Sequence, residues 1–228
     1  MRYILCIGLL LLLAAPQSGA AQSRDAQTLE AILKRMDIES KSFRAMTANI
    51  EKTKVTTLVN DRSTETGKIS VRRDDKMLIE LTQPDAKTIL RTGDDLFVYT
   101  PRTKRVEQYD LGKNRAEVEQ FLLLGFGTSG GDLKKGYLVT PQGEPLLDKK
   151  KTILLELTPK NEKVRNQISK IHLWIDPVTW LPVQQKFFET GSGDYFEIRF
   201  TSIVRNPKLP DNTFKHKWPK DVTRLKLQ

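Results

Sequence analysis

Cysteine and histidine are scarce in this sequence. One cysteine, Cys6, and two histidines, His172 and His216, occur among the 228 residues. Cys6 lies in an N-terminal apolar run that has the features of an export signal, so the processed chain would contain no disulfide and would depend on its core alone. Two histidines without cysteine cannot form the usual zinc sites, and we predict no metal centre.

Groups that carry catalysis are also missing, and we predict a protein that is not an enzyme and needs no cofactor. Gly125 to Gly130 match the spacing of a dinucleotide-binding loop, but a helix is predicted before them in place of the required strand. Ser129 has the spacing of a hydrolase nucleophile, yet it needs a histidine base. His172 alternates with apolar neighbours and is predicted on the outer, polar face. A flexible glycine loop is the favoured interpretation, and a small serine hydrolase is the enzymatic alternative.

Two pairs of adjacent acidic residues occur in the sequence, Asp74-Asp75 and Asp94-Asp95. Both pairs fall at predicted hairpin turns, where aspartate is favoured for backbone reasons. A calcium site at these turns is the alternative.

Long apolar runs are absent except at the N-terminus. Arg2, the apolar residues 3–15 and the small residues 18–21 form a pattern typical of a secretory signal peptide. We predict a signal over residues 1–21, cleaved near Ala20 or Ala21, and one domain over residues 22–228. An uncleaved anchor is the alternative, although the run is short for a membrane span.

Positive charge is in excess, with 38 basic against 28 acidic residues and a net charge of +10. The basic residues are scattered along predicted strand edges and turns. This distribution suits an anionic membrane surface or an acidic partner, and it also suits simple protection of strand edges by lysine. No basic helix or aromatic-basic stripe indicates nucleic-acid binding.

Short alternating segments dominate the chain and predict a mainly β fold with a few helices. We count roughly ten to eleven closely spaced strands, as expected for an all-antiparallel sheet. The last of them is predicted near residues 214–218. An amphipathic helix is predicted over residues 25–41 with Asp25 as its N-cap. A second, short helix over residues 116–124 interrupts the strands.

The stretch from Gly67 to Pro101 is predicted to form a meander of consecutive antiparallel strands that holds one cation near an apolar surface. Alternation places Ile69 and Val71 on the inner face, which then ends at the guanidinium of Arg73 unless a bulge intervenes. Residues 96–99 are apolar on both faces. The short helix over 116–124 is more apolar than a surface helix requires, so it either fills an ordinary core or covers a cavity.

Three segments in this order resemble the LolA-like family of periplasmic lipoprotein carriers. They are residues 67–73 (GKISVRR), 81–85 (LTQPD) and 92–101 (TGDDLFVYTP), and the segments 175–182 and 214–219 agree with the same pattern. The resemblance implies a half-open antiparallel β-barrel with helices at its mouth, an apolar cavity for acyl chains, and a location in the periplasm.

The resemblance also implies site residues and partners. Arg73 would be the latch that holds the lid closed, with carbonyl groups at the end of the lid helix or near Gly125 as its acceptors. The lipid-binding cavity would be lined by Ile69, Val71, Met77, Ile79, Leu81, Leu96, Val98, Phe121, Leu122, Phe196, Ile198 and Phe200. A monomeric carrier would take acyl chains of lipoproteins or another lipid from an inner-membrane release complex to an outer-membrane acceptor. A periplasmic sensor or scaffold on the same half-barrel, holding a signalling partner, is the alternative.

Overall fold

The computed structural model describes residues 18–112, 124–215 and 218–227, with side chains from residue 28 onward. Helix α1 (Ser18–Ser42) comes first. The next ten strands are β1 (Ala45–Thr56), β2 (Asp61–Arg72), β3 (Lys76–Gln83), β4 (Lys87–Thr92), β5 (Asp95–Thr100), β6 (Arg105–Asp110), β7 (Tyr137–Pro141), β8 (Leu146–Leu147), β9 (Lys150–Lys151) and β10 (Ile153–Pro159). The remaining elements are α2 (Gly130–Gly136), α3 (Glu162–Arg165), β11 (Ile168–Ile175), β12 (Pro182–Glu189), β13 (Tyr195–Arg205) and β14 (Thr223–Leu227).

Twelve strands form one sheet in the order β14-β6-β5-β4-β3-β2-β1-β13-β12-β11-β10-β7, and β8 pairs with β9 in a separate hairpin. β14 and β7 are the two edges, so the sheet is curved but not closed on itself. The half-open, mainly β prediction is confirmed, and the strand count is larger than predicted.

Two features of the chain's end differ from the sequence prediction. Residues 211–214 form a 3₁₀ turn where the last strand was expected to begin, and the final strand is β14. β14 pairs with β6 in parallel, so the sheet is not wholly antiparallel. Pairing across such a long separation in sequence depends on tertiary packing, which local alternation does not encode.

Helix α1 lies against one face of the sheet and defines that face as the inner one. Leu33 and Met36 are buried in a core with residues of β10 and β11, and Leu29 and Ile32 pack against the same core. The spacing of these four residues gives the helix its apolar side. The N-cap prediction was wrong, because the helix begins at Ser18 and Asp25 lies within it. Of the described residues, no helix is both long and apolar enough to cross a membrane.

The outer face of β3 to β5 is covered by the C-terminal segment. Leu78 and Leu90 form a small core with Phe214. The rings of Phe97 and Tyr99 lie 6.2 and 5.2 Å from that of Trp218. This cover explains why residues 96–99 are apolar on both faces of an otherwise one-sided sheet.

Candidate functional site

The inner face of β1 to β5 is the candidate site, and strand register places most of the predicted lining residues there. Val71, Met77 and Leu96 belong to one cross-strand row, and Ile69, Ile79 and Val98 to the next. Leu81 lies opposite Gly67 in the third row. A Cβ on Gly67 would lie 2.0 Å from the carbonyl oxygen of Glu80, so only glycine permits this close approach of β2 and β3.

Burial along these rows is uneven, and the difference separates a packed region from an open one. Ile69, Val71, Met77 and Leu81 are buried in a common core. In contrast, four inner-face residues of β3 to β5 remain partly exposed: Ile79, Ile89, Leu96 and Val98. Ile89 was not among the predicted lining residues, although it lies between Ile79 and Val98 in the same row. We call Ile79, Ile89, Leu96 and Val98 the apolar trough.

The predicted lining residues of β13 lie on the same face but in the opposite half of the sheet. Phe200 is buried in the β1–β3 core, where its ring makes an edge contact of 5.1 Å with Phe126. Phe196 stacks on Phe187 at 4.5 Å and packs against the core beneath α1. Ile198 touches both cores and connects the two halves.

The last residue of the predicted lid helix, Leu124, is fixed to the inner face. Phe121 and Leu122, and most of the predicted lid helix, lie outside the described residues. Leu124 is buried, and its carbonyl oxygen accepts a 2.6 Å hydrogen bond from the amide of Gln185, which is 3% exposed. Gln185 was not among the predicted site residues. It lies two positions before Phe187 on β12, so the period of two places both side chains on the inner face.

Arg73 contacts the first helix, whereas the sequence reading named acceptors on the lid helix or near Gly125. Its Nη1 atom donates to the carbonyl oxygen of Ser40 at 2.8 Å and lies 3.5 Å from that of Phe43. Arg44 and Arg205 bind neighbouring carbonyl groups of the same helix end, from Lys41 at 2.7 Å and Glu39 at 2.9 Å. Three guanidinium groups, from the segments at β1, β2 and β13, thus satisfy the C-terminal carbonyl groups of α1 and complement its dipole.

Arg91 is the buried arginine of the inner face, and the sequence reading did not single it out. It lies between Met77 and Leu96 in one cross-strand row and is 0% exposed, whereas Arg73 is exposed. Its Nε atom donates to the carbonyl oxygen of Gly93 at 3.0 Å, and its guanidinium lies 3.7 Å from the carboxylate of Asp75. Strand alternation could have predicted its position, because Arg91 lies two residues after Ile89 on β4 and therefore points to the same inner face.

A group of three charged residues forms one end of the inner face. The ammonium of Lys52 lies 2.9 Å from one carboxylate oxygen of Glu65, and that of Lys87 lies 3.7 Å from the other. Burial works to raise the pKa of Glu65, but the two lysines outweigh this effect and hold it below its usual value. We call Lys52, Glu65 and Lys87 the charged rim.

A polar cleft with a volume of about 790 Å³ lies on the outer face of β1, β2, β3 and β13. Asp148, at the tip of the β8–β9 hairpin, pairs with Arg199 at its side. Glu51, Lys68 and Glu80 also line the cleft, and none of them has an ion-pair partner among the described residues. The cleft is lined by polar and charged groups and is separated from the apolar trough by the sheet itself.

The motifs that suggested catalysis have structural roles in the described chain. Ser129 is the N-cap of α2, where its hydroxyl binds the backbone and the carboxylate of Asp132. His172 faces outward, as predicted, and binds Glu156 at 2.9 Å. A Cβ on Gly127 would lie 2.4 Å from the ring of Phe43, so glycine there permits a close approach.

The acidic turn at Asp74-Asp75 binds cationic side chains. Hydrogen bonds from Arg72, at 2.6 Å, hold the pKa of Asp74 well below its usual range, and Lys76 adds to this effect. Asp75 lies near Arg91, as described above. Among the residues that the structure describes, no cluster of three histidine, cysteine or acidic side chains has the arrangement of a metal site.

The fold is shared with proteins of known structure, at low sequence identity. A search of curated proteins by sequence found no match. An uncharacterised conserved protein from Thermus thermophilus shares the fold with a TM-score of 0.58 at 12% identity, over 88% of this chain and all of the other. MucB shares it with a TM-score of 0.53 at 12% identity, over 84% of this chain and 63% of MucB, so this chain spans less than two thirds of that protein.

A family assignment comes from the sequence itself. Residues 41–217, from the end of α1 to beyond the 3₁₀ turn at 211–214, match the sequence model of the outer membrane lipoprotein carrier protein LolA. The matched region contains the apolar trough, the charged rim, Arg73 and Arg91. The chain therefore belongs to the LolA family of outer membrane lipoprotein carrier proteins.

Proposed function

We propose that this protein is a periplasmic carrier that binds acyl chains of lipoproteins, or of another lipid, and moves them from the inner to the outer membrane. The observation that carries the proposal is the apolar trough. Its four side chains remain partly exposed on a face that is elsewhere filled by α1 and Phe126. Three of them are neighbours in one cross-strand row, and a contiguous apolar surface that stays partly exposed is one that an apolar ligand can cover.

The energetics of acyl chains require such a surface. Each acyl CH₂ group left in water costs about 0.8 kcal/mol, so one sixteen-carbon chain costs on the order of 12 kcal/mol. A carrier must offer comparable apolar burial and still release the chain at its target. The short helix predicted over residues 116–124 is the proposed lid over the trough, with Phe121 and Leu122 as its lining residues.

Arg73 is the proposed latch, acting through α1. Its bond to the Ser40 carbonyl is charge-assisted, a class worth about 1.5–3 kcal/mol when protected from water, and less here because Arg73 is exposed. A contact of this strength can be shifted in either direction by cargo. Arg73→Leu is expected to impair release of cargo more than folding, whereas Arg62→Leu on the outer face should affect neither. Normal transfer to an acceptor by Arg73→Leu would remove the latch from the proposal.

The route follows from the export signal proposed for residues 1–21, which leaves the carrier domain at 22–228. About 207 residues remain after cleavage (228 minus 21), enough for one domain with its own core. The net positive charge favours encounter with anionic membrane surfaces. An inner-membrane release complex and an outer-membrane acceptor are the proposed partners of a monomeric carrier.

A scaffold that holds a protein partner is the second candidate function. The outer-face cleft favours it, because the side chains of Glu51, Lys68 and Glu80 are available there for polar contacts. The fold is also shared with MucB, which has been solved in complex with MucA. Co-purification with an inner-membrane protein that does not depend on lipid load would support this candidate over the carrier.

The carrier proposal is tested by lipid loading of matched variants. Val98→Asp places a charge in the apolar trough, and Val204→Asp makes the same change at a site on β13 that is 51% exposed. Each protein is purified from periplasm without detergent, and its mass is measured under native conditions before and after incubation with lipid vesicles. We expect bound lipid on the wild type and on Val204→Asp but not on Val98→Asp. Equal loading of all three proteins would show that the lipid does not bind in the apolar trough, and loading of none would contradict the carrier.

A further inference from the structure

We propose that the charged rim is a headgroup site and that the carrier takes acyl lipids with an anionic phosphate headgroup, bound by Lys52 and Lys87. The inference rests on the proposed function, because the acyl chains of the same lipid would occupy the apolar trough. It adds the chemical class of the ligand and assigns each end of the ligand to a different part of the inner face.

The position of the rim relative to the trough is the first argument. Lys87 lies opposite Leu81, in the row adjacent to that of Ile79, Ile89 and Val98. Lys87 and Ile89 are two residues apart on one strand, so they point to the same face about 7 Å from each other along it. Lys52 reaches the same place from β1, through the carboxylate of Glu65 on β2. A lipid whose chain covers Ile89 can therefore place its headgroup at the rim.

The charge balance of the rim is the second argument. Two ammonium groups share the single carboxylate of Glu65, which leaves one positive charge in excess at the end of an apolar surface. The neighbouring Lys54 has its own partner, Glu189, at 3.4 Å and does not alter this balance. A phosphate oxygen is a strong acceptor for ammonium groups and would complete the pairing.

The lysine side chains of the charged rim are only weakly held by the protein. The contact of Lys87 with Glu65, at 3.7 Å, is too long for a hydrogen bond, and both lysine side chains are substantially exposed. Lys87 can turn to an incoming phosphate without breaking a hydrogen bond to protein. Glu65 positions the two lysines when the site holds no lipid, and it competes with the phosphate when lipid enters. Its removal should therefore strengthen binding of an anionic lipid.

Two lipids with identical acyl chains separate the headgroup from the chains. Phosphatidylglycerol and the neutral diacylglycerol displace a fluorescent neutral acyl probe from the purified protein. We expect phosphatidylglycerol to compete at least about tenfold better on the wild type, since a charge-assisted contact is worth a tenfold effect or more. Raising the salt concentration from about 0.05 M to about 0.5 M should weaken only phosphatidylglycerol, because the charged contact is partly exposed.

Variants then locate the effect. Lys52→Met with Lys87→Met should reduce the preference for phosphatidylglycerol to near onefold while leaving diacylglycerol binding unchanged. Lys150→Met with Lys226→Met, at two exposed positions away from the rim, removes the same charge and is the matched control, which should retain the full preference. Glu65→Gln should strengthen phosphatidylglycerol binding by a few fold, an effect that misfolding does not produce.

The outcomes distinguish this inference from the function on which it rests. If both lipids bind equally well to the wild type, the headgroup site is wrong and the carrier stands. If the double variant keeps the preference, the site lies elsewhere and the inference is overturned. If neither lipid displaces the probe, both the inference and the proposed carrier fail. If the double variant does not fold, the headgroup site is tested by two other results. They are the salt dependence of the wild-type preference and the effect of Glu65→Gln.

Discussion

Replacement of Gln185 by methionine tests the attachment of Leu124, the last residue of the proposed lid, to the inner face. Gln185 is 3% exposed, and its amide donates to the carbonyl oxygen of Leu124 at 2.6 Å. Methionine is similar in length and cannot donate, so the buried carbonyl would lose its partner. Loss of such a partner costs about 1–3 kcal/mol. At about 2–4 °C per kcal/mol for a chain of this size, the melting temperature should fall by about 2–12 °C.

The adjacent Gln184 provides a matched control on the same strand. It is also buried, but on the opposite face, and the described residues offer its amide no hydrogen bond. Gln184→Met should therefore change the free energy of unfolding by less than about 1 kcal/mol. Urea unfolding measures both variants, and lipid loading reports whether the lid is affected. If the two variants lose equal stability, the bond to Leu124 does not fix this segment.

Three further substitutions test other parts of the structure. Arg91→Ala should cost about 2 kcal/mol or more because it removes a buried packed stem and a donor, whereas Arg73→Ala should cost about 1 kcal/mol or less in urea unfolding because the side chain is exposed. Gly127→Ala should cost about 1–3 kcal/mol in the same assay, since φ is +70° and the new methyl group would overlap an aromatic ring. Asp74, whose pKa is lowered by Arg72, stabilises the fold above the unfolded-state pKa near 4 and loses this effect as the pH falls. Asp74→Asn should thus reduce the melting temperature slightly at pH 7, and the difference should shrink below about pH 4; a difference that grew on acidification would contradict this assignment.

Strand alternation predicted which side chains of one strand share a face, because it is a local property of the chain. For residues 96–99, which are apolar on both faces, alternation alone did not say which side faces inward; the register places Leu96 and Val98 on the inner face. The same rule pointed to Arg73, which directly follows β2 and binds the C-terminal end of α1. Arg91 escaped notice because it lies near the end of a short strand of mixed residues.

Other features depend on contacts between distant segments, which sequence patterns do not reveal. The C-terminal carbonyl groups of α1 are bound by arginines from three segments of the sheet, and β14 pairs in parallel with β6. The charged rim combines residues of β1, β2 and β4 and becomes visible only when their register is known. The outer-face cleft likewise depends on how the β8–β9 hairpin folds over the sheet.

The central claim is that acyl chains bind on the inner face over the apolar trough. Photo-crosslinking with a diazirine-bearing fatty acyl lipid, followed by mass mapping of the labelled peptides, tests it directly. The account predicts labels within β3 to β5, concentrated between Ile79 and Val98, and their loss in Val98→Asp. Labels confined to the outer-face cleft, around Glu51 and Lys68, would contradict it.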